Sequence, residues 1–127
     1  MNGKLEKMLE DEFPFMRRAP GCDCGNGWYE LLRGFCADIA MAYKKRRFEP
    51  DIDILQIKEK FGQLRFYYSA GFERDGGKLS KELDRIVRKW EKESLTVCEL
   101  CGAKGSLRTV GWYQVRCDEC EAGKYSK

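Results

Sequence analysis

The chain has no histidine among its 127 residues. That absence removes Ser-His-Asp and Cys-His nucleophile systems, catalytic zinc held by histidine, and the zinc-finger-like nucleases whose general base is a histidine. Carboxylate-only metal sites and Cys/Lys chemistry stay formally open, but no spacing of Asp and Glu points to them, so no enzyme is predicted. Also absent is any apolar run near the ~18 residues that cross a bilayer. The first dozen residues are charged and lack the apolar core of a secretory signal. These absences predict a cytoplasmic protein with reduced cysteines and no membrane partner. A strong excess of either charge is missing too: 24 Lys and Arg face 21 Asp and Glu, a formal net charge of +3. Four thiolates around one Zn²⁺ would lower that further, so only local clustering of charge can identify a partner.

What is present is a core. Hydrophobic content of 43%, with 13% aromatics, suits one domain of ordinary size or a small domain with a zinc appendage. Seven cysteines are present, and four of them stand in two Cys-x-x-Cys pairs, Cys98/Cys101 and Cys117/Cys120, fifteen residues apart. This spacing lies within the window of a four-cysteine structural zinc site. Gly102, directly after the first pair, can take the positive φ that such a turn often needs. The fifteen residues between the pairs allow two short strands, 106–110 and 112–116, with Gly111 between them. Four thiolates around one Zn²⁺ leave no open position, so the ion would be a staple and not a catalyst. Trp112 is the expected core of this small module. A single redox pair or four plain thiols fit the doubled spacing less well.

Residues 1–13 read as a short amphipathic helix, with Leu5, Met8 and Leu9 on one side. Residues 20–27 are rich in glycine and read as a loop, in which Cys22 and Cys24 are expected to be free thiols. Residues 28–48 carry a broad apolar half that includes Cys36, and they end in Lys44, Lys45, Arg46 and Arg47. These four cations complement the helix dipole, although four in a row exceed what a cap requires. Residues 51–60 and 63–70 alternate as two strands joined at Phe61 and Gly62. Leu55, Ile57, Leu64, Phe66 and Tyr68 would face the core, with Gln56, Lys58, Arg65 and Tyr67 outward. Residues 71–77 form a turn. Residues 79–93 are the clearest helix, with Leu79, Leu83, Ile86, Val87 and Trp90 in one arc. Opposite them lies a basic stripe of Lys81, Arg85, Arg88 and Lys92, flanked by Glu82, Asp84 and Glu91, which can neutralise it. The expected fold is α+β: helices packed on a β-hairpin over residues 1–97, then a zinc ribbon or treble-clef-like module over 98–127. The short tail from residue 121 leaves the choice between ribbon and treble clef open.

Three landmarks carry a resemblance: Cys24-Gly25-Asn26-Gly27-Trp28-Tyr29-Glu30, the run from Gln56 to Tyr68, and the module with Cys98-Glu99-Leu100-Cys101, Gly111-Trp112 and Cys117-Asp118-Glu119. On these the chain resembles a widespread group of small phage and prophage zinc-binding proteins without an established activity. Such proteins often have a histidine where this chain has Cys120, and Cys22 and Cys36 are additions to their pattern. The resemblance implies a phage-encoded accessory protein. Two functions compete. One is a non-enzymatic binder of a host protein or nucleoprotein, of the anti-defence or anti-CRISPR type, acting in the host cytoplasm on no small-molecule substrate. The other is a DNA- or RNA-binding module or transcriptional regulator, using the Lys81–Arg85–Arg88–Lys92 face together with Lys44, Lys45, Arg46 and Arg47.

Overall fold

A computed structural model describes residues 1–71 and 73–123; the end of the tail, 124–127, lies outside the described residues. The architecture is α+β, as expected. Helix α1 (Gly3–Glu12) starts where the Asn2 side chain accepts the Leu5 amide at 2.9 Å and stops one residue before Pro14. Its buried residue is Leu9, whereas Met8 stays exposed. A short turn over Pro14–Arg18 buries Phe15 and Met16 and returns the chain to strand β1 (Cys22–Asp23).

Helix α2 (Tyr29–Lys44) buries Leu31, Leu32, Phe35, Cys36, Ile39, Ala42 and Tyr43. It ends in two crossed bonds, Phe48 N–H to Tyr43 C=O and Arg47 N–H to Lys44 C=O, with Arg47 left-handed at φ 58°. This is a Schellman stop, built on an arginine instead of the usual glycine. Strands β2 (Asp53–Lys60) and β3 (Gln63–Ser69) form a hairpin whose two turn residues, Phe61 and Gly62, both have positive φ. That is the turn whose twist matches the strands, although a bulky residue at Phe61 is unusual there.

The hairpin is not alone: β1 adds in parallel, with Cys22 opposite Ile57 and Asp23 opposite Lys58, to give a three-stranded sheet in the order β1-β2-β3. Two expectations are corrected here. Cys22 and Cys24 are free thiols, but both are buried in the core: Cys22 points inward from β1, and Cys24 lies in the bend that follows it. Leu55 does not face the core. A bulge between Ile54 and Gln56 leaves it unopposed and 55% exposed, so Ile54 and Ile57 are the buried pair.

Helix α3 (Lys78–Glu93) buries the expected arc of Leu79, Leu83, Ile86 and Val87. Trp90 lies parallel to Phe35 of α2 at 6.2 Å and donates its indole N–H to Asp38 at 2.8 Å, tying the two helices together. The far side of β3 meets the end of α3. The Leu64 amide donates to the Ser94 hydroxyl at 2.9 Å, and the Phe66 amide donates to the Glu91 carboxylate at 2.9 Å. Strands β4 (Ser106–Arg108) and β5 (Gln114–Arg116) form a second, shorter hairpin, and helix α4 (Asp118–Gly123) follows it. No helix among the described residues is long and apolar enough to cross a membrane.

Candidate metal centre and its surroundings

The four cysteines of the doubled motif converge: the sulfurs of Cys98, Cys101, Cys117 and Cys120 all lie within 4.8 Å of one another. Cys101 and Cys117 are 3.6 Å apart. A tetrahedral ion with bonds of about 2.3 Å needs sulfurs about 3.8 Å apart, so this set can hold one metal ion. The local backbone explains the convergence. The Gly102 amide closes the first turn onto the Cys98 carbonyl at 2.9 Å, with Gly102 at φ 84°. The Glu121 amide closes the second turn onto the Cys117 carbonyl at 3.0 Å. The Ala103 and Cys120 amides point at the Cys101 and Cys117 sulfurs, at 3.5 and 3.4 Å.

The electrostatics favour a cation. Burial pushes the Cys98 thiol up, but amides of Cys101, Cys117 and Leu100 outweigh it and bring the thiol down to about 6. Cys120 moves the other way, to about 12, through its hydrogen bonds with Cys117 and Cys101 and then through burial. One sulfur thus ionises readily and makes the last one reluctant. A bound cation removes that conflict, because it stabilises every thiolate at once.

The centre is welded to the body through the Cys24–Trp28 segment. Gly27 N–H donates to the Glu99 carbonyl at 2.8 Å, Gly25 N–H to the Glu99 carboxylate at 2.8 Å, and the Trp28 indole to the Val97 carbonyl at 2.8 Å. The approach leaves no room for side chains: a Cβ on Gly25 would stand 2.3 Å from the Glu99 carbonyl oxygen, and one on Gly27 would stand 2.4 Å from that of Cys98. Burial raises the Glu99 carboxyl, against the pull of the Gly25 amide.

Trp112 is not the core of the module, which corrects a further expectation. Val115 is the fully buried side chain there, while Trp112 is 85% and Val110 88% exposed at the tip of β4–β5. With Val115, Cys98 is the fully buried side chain of the module, whereas Cys101 is exposed and Cys117 and Cys120 are half-buried. The hairpin instead leans on the β2–β3 turn. A Cβ on Gly62 would come within 2.5 Å of Leu107. Between the two tips lies a cleft of about 420 Å³ with Phe61, Trp112 and Tyr113 on its walls and Glu99, Gln114 and Arg116 among its lining. Arg116 is only 9% exposed. It donates Nη1 to its neighbour's carbonyl at 3.0 Å and stands 3.8 Å from Glu99, while its Nε has no partner among the described residues.

The two basic clusters have different fates. Lys45 reaches Glu82 at 2.8 Å, and Arg46 joins Asp75 at 2.7 Å and Glu82 at 2.8 Å, so these two cations brace α2 against α3. Lys44 and Arg47 are exposed and not ion-paired among the described residues. On α3 the flanking acids bond to other elements, and among the described residues none forms an ion pair with the stripe. Glu82 is held by Lys45 and Arg46, Asp84 accepts from the Tyr68 hydroxyl, and Glu91 accepts from the Phe66 amide. Lys81, Arg85, Arg88 and Lys92 are all exposed and, among the described residues, none is ion-paired. The cleft and the Glu99 dock have no signature in the sequence beyond the pair of glycines in Cys24-Gly25-Asn26-Gly27-Trp28. No protein-family model matches the chain, and neither a curated protein nor a solved structure matches it.

Proposed function

We propose that the protein is a non-catalytic, zinc-stapled module that binds nucleic acid through the exposed face of α3. One Zn²⁺ held by Cys98, Cys101, Cys117 and Cys120 is the ion that best suits a closed, tetrahedral, all-sulfur set with this spacing. With no open position, it holds the second hairpin in place and does no chemistry. The order of Cys-x-x-Cys turn, hairpin and helix opening at the second pair favours a treble-clef-like module over a plain ribbon.

The observation that carries the nucleic-acid reading is that Glu82, Asp84 and Glu91 bond to groups outside α3, while the four exposed cations along one face of that helix have no ion-pair partner among the described residues. At 1.5 Å of rise per residue, Lys81 to Lys92 spans about 16 Å, enough to follow a stretch of phosphates. The test is duplex DNA binding measured against salt. Arg85→Glu with Arg88→Glu is expected to weaken binding strongly and flatten the salt dependence, by about 0.9 in slope for each phosphate no longer neutralised. Unchanged binding in that variant would sink the reading.

A second reading is stoichiometric binding of a host protein or nucleoprotein, of the kind implied by the resemblance to phage accessory proteins. Val110 and Trp112 favour it, standing exposed together at the tip of β4–β5. Capture from a host lysate treated with nuclease separates the two readings: a protein partner survives the treatment, and a nucleic-acid tether does not.

A further inference from the structure

The solvent face of the β2–β3 hairpin has an unusual composition. The register places Gln56 opposite Tyr67, Lys58 opposite Arg65, and Lys60 opposite Gln63 on that face. These three pairs hold three cations, two amides and one aromatic; Lys58, Arg65 and Gln63 are half-buried, and the Gln63 amide donates to the Glu91 carbonyl at 3.1 Å. The acids on the face are Asp23, on β1 beside Lys58, and the exposed Asp53, opposite Ser69 at the end away from the turn. Tyr67 is 43% and Phe61 65% exposed. Each has an ammonium near its ring: Lys58 Nζ is 5.9 Å from the Tyr67 centroid, and Lys60 Nζ is 5.7 Å from that of Phe61. Following the strands from Tyr67 to the Lys60–Gln63 pair covers about 14 Å. Lys60 and Phe61 then form part of the lining of the cleft between the hairpin tips.

That cleft is nearly neutral, with Lys60 and Arg116 against Glu59 and Glu99, and its walls are aromatic. Its interior offers donors from Arg116, whose buried Nε is unpartnered, and acceptors from Gln114 and Glu99. Planar walls with mixed donors and acceptors suit an unpaired nucleobase, which needs stacking on its faces and hydrogen bonds at its edge. A basic track interleaved with exposed aromatics is how proteins hold a single strand without reading its sequence. A duplex keeps its bases stacked and paired, so it cannot place one between those walls.

We infer that a single-stranded nucleic acid runs along the open face of the sheet, its phosphates met by Lys58, Lys60 and Arg65, and places one base in the cleft between Phe61, Trp112 and Tyr113. This rests on the nucleic-acid reading above and assigns it a strand class and a second surface, distinct from the α3 stripe.

The test uses the zinc-loaded full chain and fluorescein-labelled single-stranded DNA, single-stranded RNA and duplex DNA of matched sequence, read by anisotropy. Both single strands are expected to bind more tightly than the duplex. Tyr67→Ala and Trp112→Ala are each expected to weaken single-strand binding on the order of ten-fold and to leave duplex binding within two-fold, as removal of one stacked base predicts. The two side chains are exposed, so neither change threatens the fold, and Met8→Ala on α1 serves as an exposed apolar control. Acrylamide quenching of Trp112 should fall when a single strand binds. Comparison of the DNA and RNA arms identifies which sugar the track accepts. The inference is overturned if both aromatic variants bind single strands as the unmodified protein does, or if the duplex binds better. Should Arg85→Glu with Arg88→Glu abolish all binding while the aromatic changes do nothing, the nucleic-acid reading survives and the single-strand track falls. If no oligonucleotide binds at all, both readings fall.

Discussion

Gly27→Ala is the sharpest probe of how the metal centre is attached. The new Cβ would stand 2.4 Å from the Cys98 carbonyl oxygen and 2.6 Å from the carbonyl carbon and oxygen of Glu99. These are backbone atoms in a turn fixed by hydrogen bonds, so no side chain can swing aside. Restoring an ordinary separation of about 3.4 Å requires the turn to lift by about 1 Å. A lift of that size takes the bond from Gly27 N–H to the Glu99 carbonyl, now 2.8 Å, out of range, and it strains the Gly25 bond to the Glu99 carboxylate. Overpacking costs about 1–3 kcal/mol, and each broken hydrogen bond adds about 1 kcal/mol. The sum, about 3 kcal/mol, corresponds to a fall of roughly 10 °C in melting temperature for a chain of this size. Thermal and urea unfolding of the metal-loaded protein measure it, with chelator competition as a second readout, because a lifted turn also loosens the sulfur cage. Gly3→Ala is the control: it has nothing within 4 Å, so its melting should change little or rise slightly. If Gly27→Ala melts within a degree or two of the unmodified protein and resists chelator equally, the docking of the centre on the Cys24–Trp28 segment is refuted.

Cys98→Ser removes the buried member of the sulfur set; metal content should drop from one ion per chain toward zero by elemental analysis, and amide signals of the β4–β5 hairpin should collapse. The α1–α3 body should keep its far-ultraviolet circular dichroism, because its main core cluster runs from Leu9 to Val87 and includes none of the four ligands. Tyr68 is held above the ordinary phenol range by burial first and then by its hydrogen bond to Asp84. The neutral phenol is therefore favoured by folding, and its contribution is complete below about pH 10 and lost as pH rises through the higher folded value. Tyr68→Phe should cost about 1 kcal/mol at neutral pH and flatten the alkaline stability profile above about pH 10. Parallel alkaline profiles for both proteins, followed by tyrosinate absorbance and unfolding, would contradict this.

Local features are legible in the sequence, and long-range ones are not. The two Cys-x-x-Cys pairs sit at a spacing that chain geometry favours, and the arc from Leu79 to Val87 follows helical periodicity, so both are readable without knowing what they touch. Leu55 departs from its expected place because a bulge shifts the alternation by one residue, and a bulge leaves no mark in the pattern of apolar side chains. Cys22 looks like a loop residue because a two-residue strand exists only through its partner, β2. The size of Trp112 argues for burial, whereas Cys98 and Val115 are the side chains that the module fully buries. The neutralising acids on α3 are visible as residue types. Only the tertiary structure assigns Glu82 to α2 and Asp84 and Glu91 to β3.

The bonds from Leu64 and Phe66 to Ser94 and Glu91 reach beyond local stability. An uncapped outer strand is a template on which a peptide, or another copy of the same molecule, can add itself by backbone pairing. Here two of the amides such a visitor would need already have side-chain acceptors, and α3 stands across the approach. Recognition is thereby steered away from backbone zippering and toward side chains displayed on faces and turns, and the same arrangement guards the chain against stacking into fibres.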